Sequence, residues 1–266
     1  MRILCIGDVV GHPGREVLRE ALPKLAAERA IDCVVANVEN AAGGSGLTPG
    51  IYEKIRGYGV HLFTLGDHIY RRKEILPLLE RAENVVRPAN LPSTAPGREC
   101  AVWRSPDGQR VAVISLLGRM FMKPMADCPF AAVDRVLGNL DPGIRMIVVD
   151  IHAEATAEKV AMGWHLEGRV SVVFGTHTHI PTADERILPK GTAYITDVGM
   201  TGPYDSVLGR DRERVVQALR TAVPTKFDVA DEPARLCGVV VEVDPLTGRA
   251  GHIERVTADG PAKAKA

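Results

Sequence analysis

The segment Arg2-Ile-Leu-Cys-Ile-Gly-Asp-Val-Val-Gly-His-Pro-Gly14 opens the chain with a buried strand over 2–7 and a glycine-rich turn over 7–14. Beyond Gly14 the period changes. Val17, Leu18, Ala21, Leu22, Leu25 and Ala26 recur at helical spacing, which predicts a helix to about residue 29, kinked at Pro23. A second buried strand is expected over 32–38, then a small-residue loop from Ala41 to Gly46. A short helix at 49–57, a strand at 60–65 and a helix at 73–80 continue the alternation. Strand–helix–strand order of this kind signals an α/β fold.

The middle of the chain reads as strands 99–104 and 110–116 around the turn Ser105-Pro-Asp-Gly108. Helix 129–140, strand 145–151, helix 154–163 and strand 170–175 restore the alternation. Strands 192–197, 236–244 and 249–256, with a helix over 210–222 and a turn at Pro245-Leu-Thr-Gly248, complete the pattern. One domain over residues 1–257, built as two stacked sheets with helices outside, and a disordered tail over 258–266 are the expectation.

Bulk composition narrows the function classes. The 266 residues are 45% hydrophobic, enough for a large core, and 33 basic residues balance 33 acidic ones. Zero formal charge gives no electrostatic case for nucleic acid or a membrane surface. The run Ile3 to Ile6 is far shorter than a secretory signal core, and no stretch has membrane-span length, so a cytoplasmic protein is expected. Cys5, Cys33, Cys100, Cys128 and Cys237 are scattered without a C-x-x-C pair, which argues against disulfides and thiolate metal sites.

Polar residues with metal-ligand chemistry gather where the strands end. Asp8 follows strand 2–7, Glu39-Asn40 follow 32–38, and Gly66-Asp67-His68 follow 60–65. His152 ends strand 145–151, and Gly175-Thr-His177-Thr-His179 ends strand 170–175. Carboxyl ends of strands form the ligand crevice of an open α/β sheet. In an extended segment residues i and i+2 share a face, so His177 and His179 should address one site. Each motif alone has a bland reading: a Gly-Asp is more often a turn, and a lone His more often a satisfied core residue. Their joint arrival at equivalent strand ends makes the case. Oxygen donors mixed with imidazoles suit manganese, iron or zinc, and two metals need about seven or eight ligands. His12, His61, His165 and His252 lack such company and read as structural.

This pattern resembles the calcineurin-like metallophosphoesterases. Val10 stands where that superfamily carries its first His, and Glu39-Asn40 replaces its Gly-Asp pair. Those departures are similar to the YmdB-like subfamily, as are Gly7-Asp-Val-Val-Gly11, Val38-Glu-Asn-Ala-Ala-Gly-Gly44, Arg87-Pro-Ala-Asn90, Leu117-Gly-Arg-Met-Phe-Met122 and Asp197-Val-Gly-Met-Thr-Gly-Pro203. The likeness spans about residues 2–256 and departs at Asp67, where the family has Asn. It implies a four-layer α/β/β/α sandwich of two mixed sheets. It also implies a phosphodiesterase or phosphatase acting on small nucleotide-like phosphoesters, 2′,3′-cyclic nucleotides foremost, through hydroxide activated by two metals. Iron or manganese leads, with zinc or magnesium behind. One metal would take Asp8, Glu39, Asn40 and His179; the other Glu39 as bridge, Asp67, His152 and His177. His68 would face the substrate as general acid, on the side of the chain opposite to Asp67.

Further substrate contacts are expected from Arg87, Phe121 and Phe130, the last two lying in a Met- and Phe-rich stretch whose bland reading is a loop packed on the core. A homo-oligomer is left open. Two rival readings stand. One is a dinucleotide-binding protein built on Gly7, Gly11 and Gly14, whose spacing is not G-x-G-x-x-G. The other is a metal-binding regulator or scaffold with weak phosphatase activity.

Overall fold

The computed structural model describes residues 1–231 and 233–260. Strand β1 (Arg2–Ile6) leads into the two-residue β2 (Asp8–Val9) and helix α1 (Gly11–Glu28). Then come β3 (Cys33–Asn37), α2 (Pro49–Gly57), β4 (Leu62–Thr64), α3 (Leu76–Arg81) behind a 3-10 turn, and β5 (Val85–Val86). The middle contributes β6 (Cys100–Arg104), β7 (Arg110–Leu117), α4 (Pro129–Asn139), β8 (Met146–His152), α5 (Thr156–His165) and β9 (Val172–Thr176). Short strands β10 (Arg186–Ile187), β11 (Ala193–Ile195) and β12 (Met200–Pro203) precede α6 (Arg212–Thr221) and the hairpin of β13 (Ala234–Val243) and β14 (Ala250–Asp259).

Two mixed sheets result. In the first, β1, β3, β4 and β5 run parallel, while β13 lies antiparallel between β1 and β14. In the second, β7, β8, β9 and β11 run parallel, with β6 and β10 antiparallel at the edges. The pleat sorts side chains into layers. Leu4, Ile6, Val34 and Phe63 pack outward against Leu18 and Leu22 of α1 and Ile55 of α2. Their neighbours Ile3, Cys5, Cys33, Val35 and Leu62 point the other way, against Val111, Val148, Val172 and Phe174 of the second sheet. The far face of that sheet sets Ile114, Val149 and Val173 against Val133 of α4 and Met162 of α5. The order is helices, sheet, sheet, helices, the expected four-layer sandwich. Strands covered on both faces are apolar on both, which is why 33–36 and 146–149 read as unbroken runs.

Several boundaries differ from the sequence reading. The glycine-rich turn is shorter, because α1 already starts at Gly11 and tolerates Pro13 in its first turn, where no intrahelical donor is needed. The helix also runs on through Pro23. Strand β14 continues to Asp259, so residues 258 and 259 belong to the sheet rather than to a tail; residues 261–266 lie outside the described residues. Both expected turns close antiparallel hairpins, with Gly108 and Gly248 at positive φ. Among the described residues no helix is long and apolar enough to cross a membrane.

Gly7 and Gly14 have a packing explanation that the dinucleotide reading lacked. A Cβ at Gly7 would overlap the carbonyl oxygen of Gly199, and one at Gly14 that of Thr201. The late segment 199–201 packs directly on both glycines.

Candidate metal centre

All eight residues expected at the metal site and beside it meet at one end of the two sheets. The first sheet delivers Asp8, Glu39, Asn40, Asp67 and His68 from the ends of β1, β3 and β4; the second delivers His152, His177 and His179 from β8 and β9. One atom each from Glu39, Asp67, His152 and His177 lies within 4.8 Å of all the others. His152 Nε2 stands 3.2 Å from Glu39 Oε1 and 3.1 Å from Asp67 Oδ1. His177 Nδ1 stands 3.1 Å from His152 Nε2 and 3.4 Å from Asp67 Oδ1.

A second convergence adjoins the first through Glu39. The Asn40 amide nitrogen lies 3.2 Å from Glu39 Oε1, 3.2 Å from His179 Nε2 and 3.4 Å from Asp8 Oδ1. A half-turn of that amide presents its oxygen to the same neighbours, as a hard cation requires. Asp8, Asn40 and His179 thus gather as a second lobe beside the first group and are joined to it at Glu39.

His177 and His179 reach their lobes differently from the sequence reading. The segment after β9 is not extended: His177 has φ 91° and His179 φ 66°. Left-handed backbone at a non-glycine residue costs roughly 1 kcal/mol or more. The turn sends the two imidazoles to different lobes instead of one shared face.

The imidazoles of His152, His177 and His179 each have one nitrogen engaged by an outer partner, which orients the ring. Thr176 Oγ1 has one proton and donates it to Asp150 Oδ1 at 2.6 Å. It must then accept from His152 Nδ1–H at 2.8 Å, which turns Nε2 toward Glu39 and Asp67. His179 Nδ1–H donates to the Leu208 carbonyl at 3.0 Å, freeing Nε2 toward Asp8 and Asn40. His177 reverses the pattern: Nε2 meets Glu154 Oε2 at 3.1 Å and Nδ1 faces the donors. Orientation of ligand imidazoles by such outer partners is a general feature of metal sites.

Asp150 is the main residue that motif reading passed over. It is fully buried and accepts from Thr64, Thr176 and Asn37 at the ends of three strands. Burial dominates those bonds and pushes its carboxyl up to about 6. A signal existed: Asp150 and His152 share one face of an otherwise apolar strand.

The electrostatics favour a cation. Burial opposes the charges of Glu39 and Asp67, yet His152, joined by His68 at Glu39 and His177 at Asp67, holds both carboxyls well below the ordinary range. Burial likewise works against protonated His152 and His68, but Glu39 and neighbouring acids raise both above the usual imidazole value. In effect protons on the histidines neutralise the acids, the charge that bound cations would supply in their place. The oxygen and nitrogen donors, with no thiolate among them, fit borderline divalent metals.

His68 is not turned away from Asp67 as expected. Its Nδ1 lies 2.8 Å from Asn40 Oδ1 and 3.1 Å from Glu39 Oε1, and its Nε2 3.6 Å from Asp67 Oδ2. The short turn at 66–69 brings both side chains to the same cluster. His68 is the most exposed of the group, at 26%.

Two expected substrate contacts do not reach the site. Arg87 is buried and bound to Glu99 at 3.0 Å and to the carbonyls of Pro88 and Gly97. Phe130 packs on the outer core edge-on to His165. Phe121 remains available: it is 81% exposed, three residues beyond Gly118, whose N–H donates to the His152 carbonyl.

Comparison with known proteins agrees with this geometry. The model of the YmdB-like protein family matches residues 4–256. A 2′,3′-cyclic-nucleotide 2′-phosphodiesterase of Bacillus subtilis is 47% identical, with 96% of each chain covered. A putative phosphatase/phosphodiesterase of Mycoplasma pneumoniae is 34% identical over 98% of this chain and 95% of its own. Among solved structures, a hypothetical protein from Thermus thermophilus superposes with TM-score 0.91 at 41% identity, covering 98% of this chain and all of that one. A novel phosphatase of Mycoplasma pneumoniae gives TM-score 0.91 at 34% identity over 97% and 93%.

Proposed function

The chain belongs to the YmdB-like protein family, and from that membership we propose that it is a phosphodiesterase of small nucleotide-like esters, 2′,3′-cyclic nucleotides first, working in the cytoplasm with two metal ions. The observation that carries this reading is the pair of donor lobes joined at Glu39, each with carboxylate and imidazole donors. Asp8, Glu39, Asn40 and His179 would hold one ion; Glu39, Asp67, His152 and His177 the other. Iron or manganese suits this mixture of carboxylate, amide and imidazole, with zinc or magnesium next.

Bound cations at these positions would supply Lewis acidity toward the phosphoryl oxygens and a more acidic water. The remaining work falls to the protein. Glu39, without exposure to solvent, keeps the lobes at a fixed spacing. His68, at the open side, would give its proton to the departing ester oxygen. Glu154 and the Leu208 carbonyl keep His177 and His179 aimed while substrate enters. Phe121, exposed three residues beyond Gly118, would offer a face on which a base can stack.

The test is metal analysis of the purified protein together with a panel of cyclic phosphodiesters and phosphomonoesters. Metal content with turnover of 2′,3′-cyclic substrates is the expected result. Bound metal with no turnover of any ester would favour a regulatory or scaffold role.

A further inference from the structure

Lys159 of α5 is fully buried, and its ammonium contacts Asp197 Oδ2 at 2.6 Å. A lysine and an aspartate without solvent are expensive to keep, and surface pairs do not need such burial. The pair sits directly beneath the turn that carries two expected ligands. Asp197 Oδ2 also accepts from the Thr178 hydroxyl at 2.7 Å and from its N–H at 3.3 Å. Its other oxygen takes the Gly199 N–H at 2.8 Å, while Met200 N–H donates to the His179 carbonyl. Gly175 lies against the Thr196 carbonyl, and a Cβ there would also meet the Lys159 Cδ at 2.9 Å.

Thr178 is the residue between His177 and His179, both held at positive φ. A backbone in that region returns to a relaxed form unless something outside it resists. We propose that Asp197, its charge balanced by Lys159, is a positioning residue that clamps Thr178 and thereby aims His177 and His179 at separate lobes of the centre. The segment Asp197–Pro203, which the metal sites leave without a role, gains one in this way. The inference rests on the two-lobed metal reading. It adds that one carboxylate outside the ligand set governs imidazoles in both lobes at once.

The test is calorimetric titration of Mn²⁺ into chelator-treated protein, with the melting temperature measured on the same samples. Thr178→Val removes the hydroxyl but keeps the shape. It should melt close to the parent and bind Mn²⁺ about 10–100-fold more weakly at both sites, the usual cost of losing an outer-sphere partner. Thr178→Ser, which keeps the hydroxyl, should restore binding. Asp197→Asn should weaken both sites and also lower the melting temperature, because the Lys159 ammonium loses its counterion. Parent-like Mn²⁺ affinity in Thr178→Val would overturn the positioning role and leave the metal reading intact. No Mn²⁺ binding by the parent protein would overturn the metal reading, and this inference with it.

Discussion

The two sheets bring opposite chemistry to the same place. From the first come the oxygen donors Asp8, Glu39, Asn40 and Asp67; from the second come the nitrogen donors His152, His177 and His179. Their supports differ as well. Each imidazole of the second sheet has a dedicated partner, Thr176, Glu154 or the Leu208 carbonyl. The carboxylates of the first lean on the imidazoles themselves, as the contacts of Glu39 and Asp67 with His152 show. The first sheet therefore supplies negative charge, and the second supplies direction. Neither sheet alone holds a complete lobe.

The sharpest way to break this division is to remove the donor that both lobes share. Glu39→Ala should lose both ions and reduce turnover to background, whereas His179→Ala should lose one ion and keep the other. Metal stoichiometry of the two variants is the check, and two ions retained by Glu39→Ala would refute its bridging role. Chemistry can be separated from binding at His68. His68→Ala should keep its metals and lose roughly 10²–10⁴-fold in turnover, the range of general acid catalysis; loss of metal instead would make His68 a ligand.

Chelation tests the charge argument. In chelated protein His68 and His152 titrate above their ordinary value because Glu39 and Asp67 face them. The stability this gives is complete below the unfolded pKa of about 6.5 and is lost as pH rises through the raised folded values. Chelated protein should thus melt several degrees lower at about pH 9 than at about pH 6. The increment given by added metal should run the other way, shrinking on acidification as protons compete for the imidazoles. Parallel slopes in differential scanning would contradict it.

The smallest expected effect belongs to Asp67, the third carboxylate of the cluster. Asp8, Glu39 and Asp67 contribute three negative charges, which a phosphodiester anion must approach. Asp67→Asn should lower KM for a phosphodiester by about tenfold, the scale of one partly screened charge. An unchanged or higher KM would mean that this carboxylate serves metal retention instead.

Most of this arrangement was legible because it follows from periodicity. Apolar runs bounded by polar residues mark where each parallel strand stops, so Asp8, Glu39, Asp67, His152 and His177 could be assigned to one edge before any coordinates. Strands β2, β5, β10 and β12 were not legible, since two to four residues carry no period. The conformation of His177 and His179 was misread because their turn is held from outside, by Asp197, some twenty residues further on. Arg87 looked like an anion contact, but its destination depends on Glu99 across a loop. Phe130 looked like a base platform, but it sits one position inside α4, on the face that packs the core. Side-chain destinations set by long-range partners leave no local trace.

The pairing of Arg2–Ile6 with Gly238–Glu242 has a bearing on how the molecule is made. Strand β13 is synthesised long after β1, yet the two lie side by side. Until it arrives, β1 has an open edge, and the sheet carrying Asp8, Glu39 and Asp67 is unfinished. All the donor residues are translated by position 179, well before the strand that completes their scaffold. A copy terminated before residue 234 would contain all of these residues without the strand that pairs with β1 and completes their sheet.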